Sequence, residues 1–122
     1  MFSFRFVLVS ALLIAATACG GNDSAPTSTP TPDGTSTPVS IPRGAESLAN
    51  RAYQPDELDV TAGTTVTWTN TDSVSHTSTS DGAGWNGTLA PGARFSVVLP
   101  TPGTFPYHCT IHPGMVGTIV VR

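Results

Sequence analysis

Lysine is missing from this 122-residue chain altogether, and cysteine occurs only twice. Charge is thin: five Arg face eight Asp plus Glu, so 11% of residues are charged and the net charge is −3. With so few cations the chain cannot neutralise a run of phosphates, which excludes nucleic acid as a partner. Two Cys allow at most one internal disulfide, which excludes a disulfide-stapled scaffold. No apolar run approaches the roughly 20 residues that a membrane-spanning helix needs. The length leaves no room for two large domains with a cleft between them.

What is present divides the chain into three stretches. The first starts with one positive charge, Arg5, followed by an apolar run over Phe6–Ala16 broken only by Ser10. A charged start, a short apolar core and small residues beyond it read as an export signal, residues 1–18. The segment Ala16-Thr17-Ala18-Cys19 resembles a bacterial lipobox, with Ala16 where Leu is preferred. It predicts lipidation of Cys19 as the new N-terminus. An ordinary signal would be cut at the same bond. With the signal removed, four Arg and eight acids give a formal net charge of −4. The expected location is outside the cytoplasm, periplasmic or at the cell surface, with a membrane anchor.

Residues 19–40 form the second stretch. Gly20–Ser40 is built from Pro, Thr, Ser and Gly with almost nothing to bury, so it reads as a tether. Fully extended, its 21 residues reach at most on the order of 65 Å. Asn22-Asp23-Ser24 and Asn86-Gly87-Thr88 fit a glycosylation sequon, which carries little weight in a bacterial lipoprotein.

The third stretch, residues 41–122, is expected to be a small all-β domain. Helical periodicity is absent. Period-two runs appear at Thr64–Thr69, Phe95–Leu99, Thr104–Cys109 and Gly117–Val121. Turn signals lie at Ala62-Gly63, Asp81-Gly82, Pro91-Gly92 and Pro102-Gly103. Short strands at this spacing predict a β-sandwich or small barrel. Pro106 inside a strand pattern predicts an edge position or a bulge. The region Ala45–Glu57 reads as a loop or a turn of helix. A core this small buries only about 60% of its unfolded surface, so a bound metal would help to hold it.

The chemistry concentrates in Tyr107-His108-Cys109-Thr110-Ile111-His112-Pro113-Gly114-Met115, which holds Cys109, His112 and Met115 at C-x2-H-x2-M spacing. His76 lies 33 residues upstream of Cys109, just past the Val66/Trp68 strand. A thiolate, two imidazoles and a thioether form a soft ligand set that suits copper, and trigonal His2Cys with a weak axial Met is the blue-copper arrangement. Any one of these residues alone would read as ordinary: a surface His, a core thiol, a packing Met. His108 neighbours Cys109 along a strand and so points to the other face, as a solvated His rather than a ligand. Trp68 reads as core. A Cys/His nucleophile pair, the enzyme alternative, lacks a third orienting residue and leaves Met115 without a role. Asp56, Glu57, Asp59, Asp72 and Asp81 read as solvated surface, with a patch for a basic partner as the alternative.

At these residues the chain resembles the cupredoxins of the plastocyanin/amicyanin group. The likeness runs over Gly63–Asn70, His76, Leu89-Ala90-Pro91-Gly92 with Phe95-Ser96, Pro102-Gly103-Thr104-Phe105 and the Cys-His-Met loop. The short loop is most like amicyanin. The resemblance implies a Greek-key β-sandwich with one type 1 copper ion at one end, bound by His76, Cys109, His112 and Met115. It also implies His112 as the electron exit. Thr77 stands where the family often has an Asn tying two ligand loops together, and Gly114 where amicyanins carry a bulky residue. The function expected is one-electron transfer between redox partner proteins by a monomeric, membrane-tethered carrier that is not an enzyme. The alternatives are copper storage or delivery without redox turnover, and a surface interaction module.

Overall fold

The computed structural model describes residues 36–122, and the signal, Cys19 and most of the tether lie outside them. Eight strands form two sheets. They are β1 (Ser36–Ile41), β2 (Glu57–Val60), β3 (Thr64–Asn70), β4 (His76–Ser80), β5 (Asn86–Leu89), β6 (Arg94–Leu99), β7 (Gly103–His108) and β8 (Val116–Val121). One sheet has the order β1-β3-β6 and the other β2-β8-β7-β4-β5. The pairs β1/β3 and β2/β8 are parallel, and the others are antiparallel. This is the two-sheet, all-β sandwich that the strand spacing predicted.

The alternation is visible in β3, where Val66 and Trp68 are fully buried while Thr67 and Thr69 are partly exposed. Trp68 is therefore a core residue. Its ring meets Tyr107 edge-on at 5.4 Å and Trp85 at 5.7 Å, and Tyr53 packs on Tyr107 at 4.7 Å. Such offset aromatic pairs add about 0.5–1.5 kcal/mol each beyond the area they bury. Gly87 makes room for this layer, because a Cβ there would lie 2.4 Å from the Phe95 ring.

Two expectations need correction. The tether does not reach Ser40: Ser36–Ser40 already belong to β1, held in register from Ser36 beside Thr65 to Ile41 beside Asn70. The run Ser-Thr-Pro-Val-Ser is polar enough to pass for linker, yet it buries Val39 and, with the next residue, Ile41. Pro106 is neither on an edge strand nor in a bulge, since β7 lies between β8 and β4. Its carbonyl accepts from Asp81 N–H, so its nitrogen faces the same side, beyond the last β4 pairing at Ser80. A missing N–H costs nothing there. The Ala45–Glu57 region holds two 3-10 turns, Ala45–Ser47 and Ala49–Arg51, and leads into β2.

The strand registers collect Asn70, His76, Leu89, His108 and Val116 at one end of the sandwich. Asn70 knits that end together: its amide donates to Val74 and Leu89 carbonyls, and its Oδ1 accepts from Asp72 N–H. Ser36 lies at the other end, near the hydrogen bonds that join Gly63 to Leu99 and Ala62 to Arg122.

Candidate metal centre

His76 opens β4, and its side chain is completely buried. Cys109 follows the last residue of β7 and is 3% exposed. His112 is half-buried in the loop between β7 and β8, and Met115 is fully buried at that loop's end. One donor atom from each of His76, Cys109 and His112 lies within 4.8 Å of the other two. The two Nδ1 atoms are 3.2 Å apart, and Cys109 Sγ is 3.9 Å from His112 Nδ1. The loop is cinched by its own backbone: Cys109 N–H donates to the Met115 carbonyl at 3.0 Å, and Met115 N–H to the His112 carbonyl at 3.3 Å. Met115 ends this closed loop with its side chain fully buried.

A shell of hydrogen bonds surrounds these groups. Thr77 N–H donates to Cys109 Sγ at 3.3 Å. The Thr77 hydroxyl accepts from Thr110 N–H at 2.9 Å, so a Thr ties the two ligand segments where the resemblance led to an Asn. The Thr77 carbonyl in turn accepts from the Tyr53 hydroxyl. Burial of the Tyr53 phenol, and then the nearby Cys109 and Tyr107, push its ionisation far above the usual range. Tyr107 is raised chiefly by burial as well.

Asp72 does not belong with the surface acids. It is 6% exposed, and its Oδ2 lies 2.9 Å from His76 Nε2. Backbone N–H groups of Gly44, Ala45 and Ser73 also donate to it. The His76 hydrogen bond above all, with these three donors, holds its carboxyl well below the ordinary carboxylate range, against the opposing effect of burial. Glu46 lies close enough to Asp72 and His76 to complete a second donor set, but its side chain is exposed. Asp56, Glu57, Asp59 and Asp81 remain on the surface. Sequence reasoning missed Asp72 and Tyr53 as parts of the site. The one available signal for Asp72 was its place four residues before His76.

His108 points away from the cluster, as strand alternation required, and its Nδ1 pairs with Asp81 in solvent. Ile111, Val74 and Val116 are exposed apolar residues in or beside the two ligand segments, at 48%, 38% and 45%. A buried thiol facing two imidazole nitrogens, with a buried thioether at the end of the same loop, is a soft donor set, and it fits a transition ion of soft or borderline character. It does not fit calcium or magnesium, which take oxygen ligands.

Comparison with known proteins agrees with this reading. The family model described as a cupredoxin-like domain matches residues 10–121. The chain is 36% identical over 81 residues to amicyanin-alpha of Methylorubrum extorquens, covering 62% of this chain and 68% of that protein. It is 36% identical over 96 residues to a plastocyanin of Prochlorothrix hollandica, covering 69% and 72%. Among solved structures, a purple cupredoxin from Nitrosopumilus maritimus aligns with a TM-score of 0.64 at 37% identity, covering 70% of this chain and 99% of that one. A Cu(I) form of an amicyanin variant gives a TM-score of 0.60 at 30% identity, covering 71% and 82%. Sandwich, donor cluster and relatives converge: this chain belongs to the cupredoxin-like domain family.

Proposed function

We propose that the protein is a blue-copper electron carrier, with His76, Cys109, His112 and Met115 as the ligands of one type 1 copper. The single observation that carries this reading is the cluster of one buried thiol and two imidazoles, with a buried Met115 ending the same loop. Copper held there supplies one-electron chemistry between Cu(II) and Cu(I). The residues supply the rest. Cys109 offers a thiolate, His76 and His112 offer Nδ1, and Met115 offers a weak axial thioether that tunes the potential. The bonds from Thr77, Thr110 and the cinched loop tie these donors to the surrounding backbone, which limits rearrangement on a change of oxidation state. His112 provides the exit: it is the less buried imidazole, flanked by exposed Ile111 and Pro113 against which a partner can exclude water.

The membrane tether is part of the proposal. Residues 1–18 would direct export, and Cys19 would carry the lipid. Residues 20–35 then span at most about 50 Å. β1 starts at the end of the sandwich opposite the site, roughly 20 Å away along β3.

The decisive experiment adds Cu(II) to the purified chain and records visible and EPR spectra. The expected result is an intense thiolate-to-copper charge-transfer band with narrow copper hyperfine splitting. A colourless product overturns the reading. Label from a fatty acid that survives Cys19→Ala would overturn the anchor alone.

A further inference from the structure

We propose that Asp72 is a positioning residue of this centre: its carboxylate fixes the His76 proton on Nε2, leaves Nδ1 free for the metal, and favours the oxidised ion. The proposal rests on the copper reading above and adds a residue to it. Asp72 lies outside the ligand loop and offers the metal no donor among the three clustered atoms.

The geometry argues for it on three counts. First, Asp72 Oδ2 meets His76 Nε2 at 2.9 Å, and an ionised carboxylate can only accept, so that nitrogen carries the proton. Nδ1 then presents its lone pair toward Cys109 and His112, and the 3.2 Å approach of His112 Nδ1 makes that second nitrogen the donor in the metal-free protein. Second, the carboxylate is held by more than the imidazole. Gly44 and Ala45 N–H groups reach it from the segment after β1, Ser73 N–H reaches it from its own loop, and Asn70 Oδ1 fixes its backbone N–H. Gly44 takes φ 73, a left-handed conformation that suits glycine, just where these two successive N–H groups converge. A side chain so restrained transmits its orientation to His76. Third, the charges differ between redox states. Cu(II) with a thiolate carries +1, and a carboxylate one imidazole away offsets it. Cu(I) with a thiolate is neutral, and the same carboxylate leaves an uncompensated negative charge. One electron enters from an external donor with no bond to Asp72 made or broken, and the buried carboxylate opposes its arrival.

A carboxylate that merely staples the loop to Gly44 and Ala45 would shape the fold but not the potential. The test uses the full chain loaded with copper alone, in three forms: wild type, Asp72→Asn and Asp72→Glu. In Asp72→Asn the ratio of Cu(II) to Cu(I) affinity should fall at least about tenfold, a rise of about 59 mV for one electron, with the charge-transfer band retained. Asp72→Glu, which keeps the charge, should return most of that shift. A folded, coloured Asp72→Asn with the wild-type potential overturns the proposal. Should Asp72→Asn not fold, nitrogen-15 NMR of the metal-free wild type at pH 8 decides instead. A proton on His76 Nε2 supports the proposal, and one on Nδ1 overturns it. A wild type that takes up copper without the charge-transfer band defeats the electron-carrier reading, while the tautomer measurement still decides the role of Asp72.

Discussion

The two imidazoles of the site meet through like atoms but belong to unlike regions. His76 is sealed from solvent and gripped by a carboxylate that is itself held from β1's exit loop, 27 and 28 residues away in sequence. His112 is half-exposed and sits in a seven-residue loop from Cys109 to Met115, closed by its own backbone and tied to β4 through Thr77. One region is a fixed wall assembled from distant segments; the other is a local clamp that faces outward. A fixed wall preserves metal geometry, and an outward clamp gives a partner access. The centre gains both properties because its halves are built differently.

The strongest way to break this contrast is to delete each imidazole in turn. His76→Gly should bind copper poorly and resist rescue by external imidazole, since its position is sealed from solvent, and Asp72 loses one of its hydrogen-bond donors while keeping those of Gly44, Ala45 and Ser73. The cost to stability should be about 3–5 kcal/mol, from the lost charge-assisted hydrogen bond and the emptied ring volume. His112→Gly should keep its stability within about 1 kcal/mol and recover its colour when imidazole is added, because the vacated space opens outward. Visible titrations and urea unfolding of both variants check this. Equal rescue at the two positions would defeat the contrast.

A smaller effect is expected at the joint between the regions. Thr77→Val removes the hydroxyl that receives Thr110 N–H and should cost about 1–3 kcal/mol, because that N–H is left partly buried and unpaired. Thr77→Ser should restore most of the loss. Chemical denaturation of the metal-free forms measures it, and a Thr77→Val as stable as wild type would show that the two segments need no tie.

The mildest effect is invisible at neutral pH. Tyr53 and Tyr107 ionise far higher in the folded protein than the ordinary value of about 10, so the unfolded chain releases these protons first. Their contribution is therefore complete below pH 10 and is lost as pH rises above it, by at most about 1.4 kcal/mol per pH unit for each phenol. Stability measured from pH 7 to 12 should stay flat with respect to these groups and then decline. Tyr53→Phe should show a shallower decline, along with a loss of about 1 kcal/mol at pH 7 from its bond to Thr77. An unaltered alkaline slope would detach Tyr53 from the His76 wall.

The clamp was legible in the sequence because its parts are neighbours. Cys109, His112 and Met115 carry their relation in their spacing, and strand alternation alone sent His108 to the other face. The strands β3, β6, β7 and β8 were legible for the same reason, since each has apolar residues at every second position. The strands β1, β4 and β5 were not. β4 reads His-Thr-Ser-Thr-Ser yet buries four of its five residues, and its polar groups are tolerable there because partners from neighbouring segments satisfy them, as Ser78 receives the Trp85 indole N–H.

By itself, then, the amino-acid order determined the all-β character, the donor types and the local loop that presents three of them. The tertiary structure alone decided that Asp72 is a partner of His76 rather than a surface acid, that Thr77 joins the ligand segments, and that a polar stretch from Ser36 is a strand. Thr77 and β1 depend on hydrogen bonds between residues far apart in the chain, and Asp72, only four residues from His76, is held there by the distant Gly44 and Ala45 N–H groups. Such bonds form only when folding excludes water from the groups that make them.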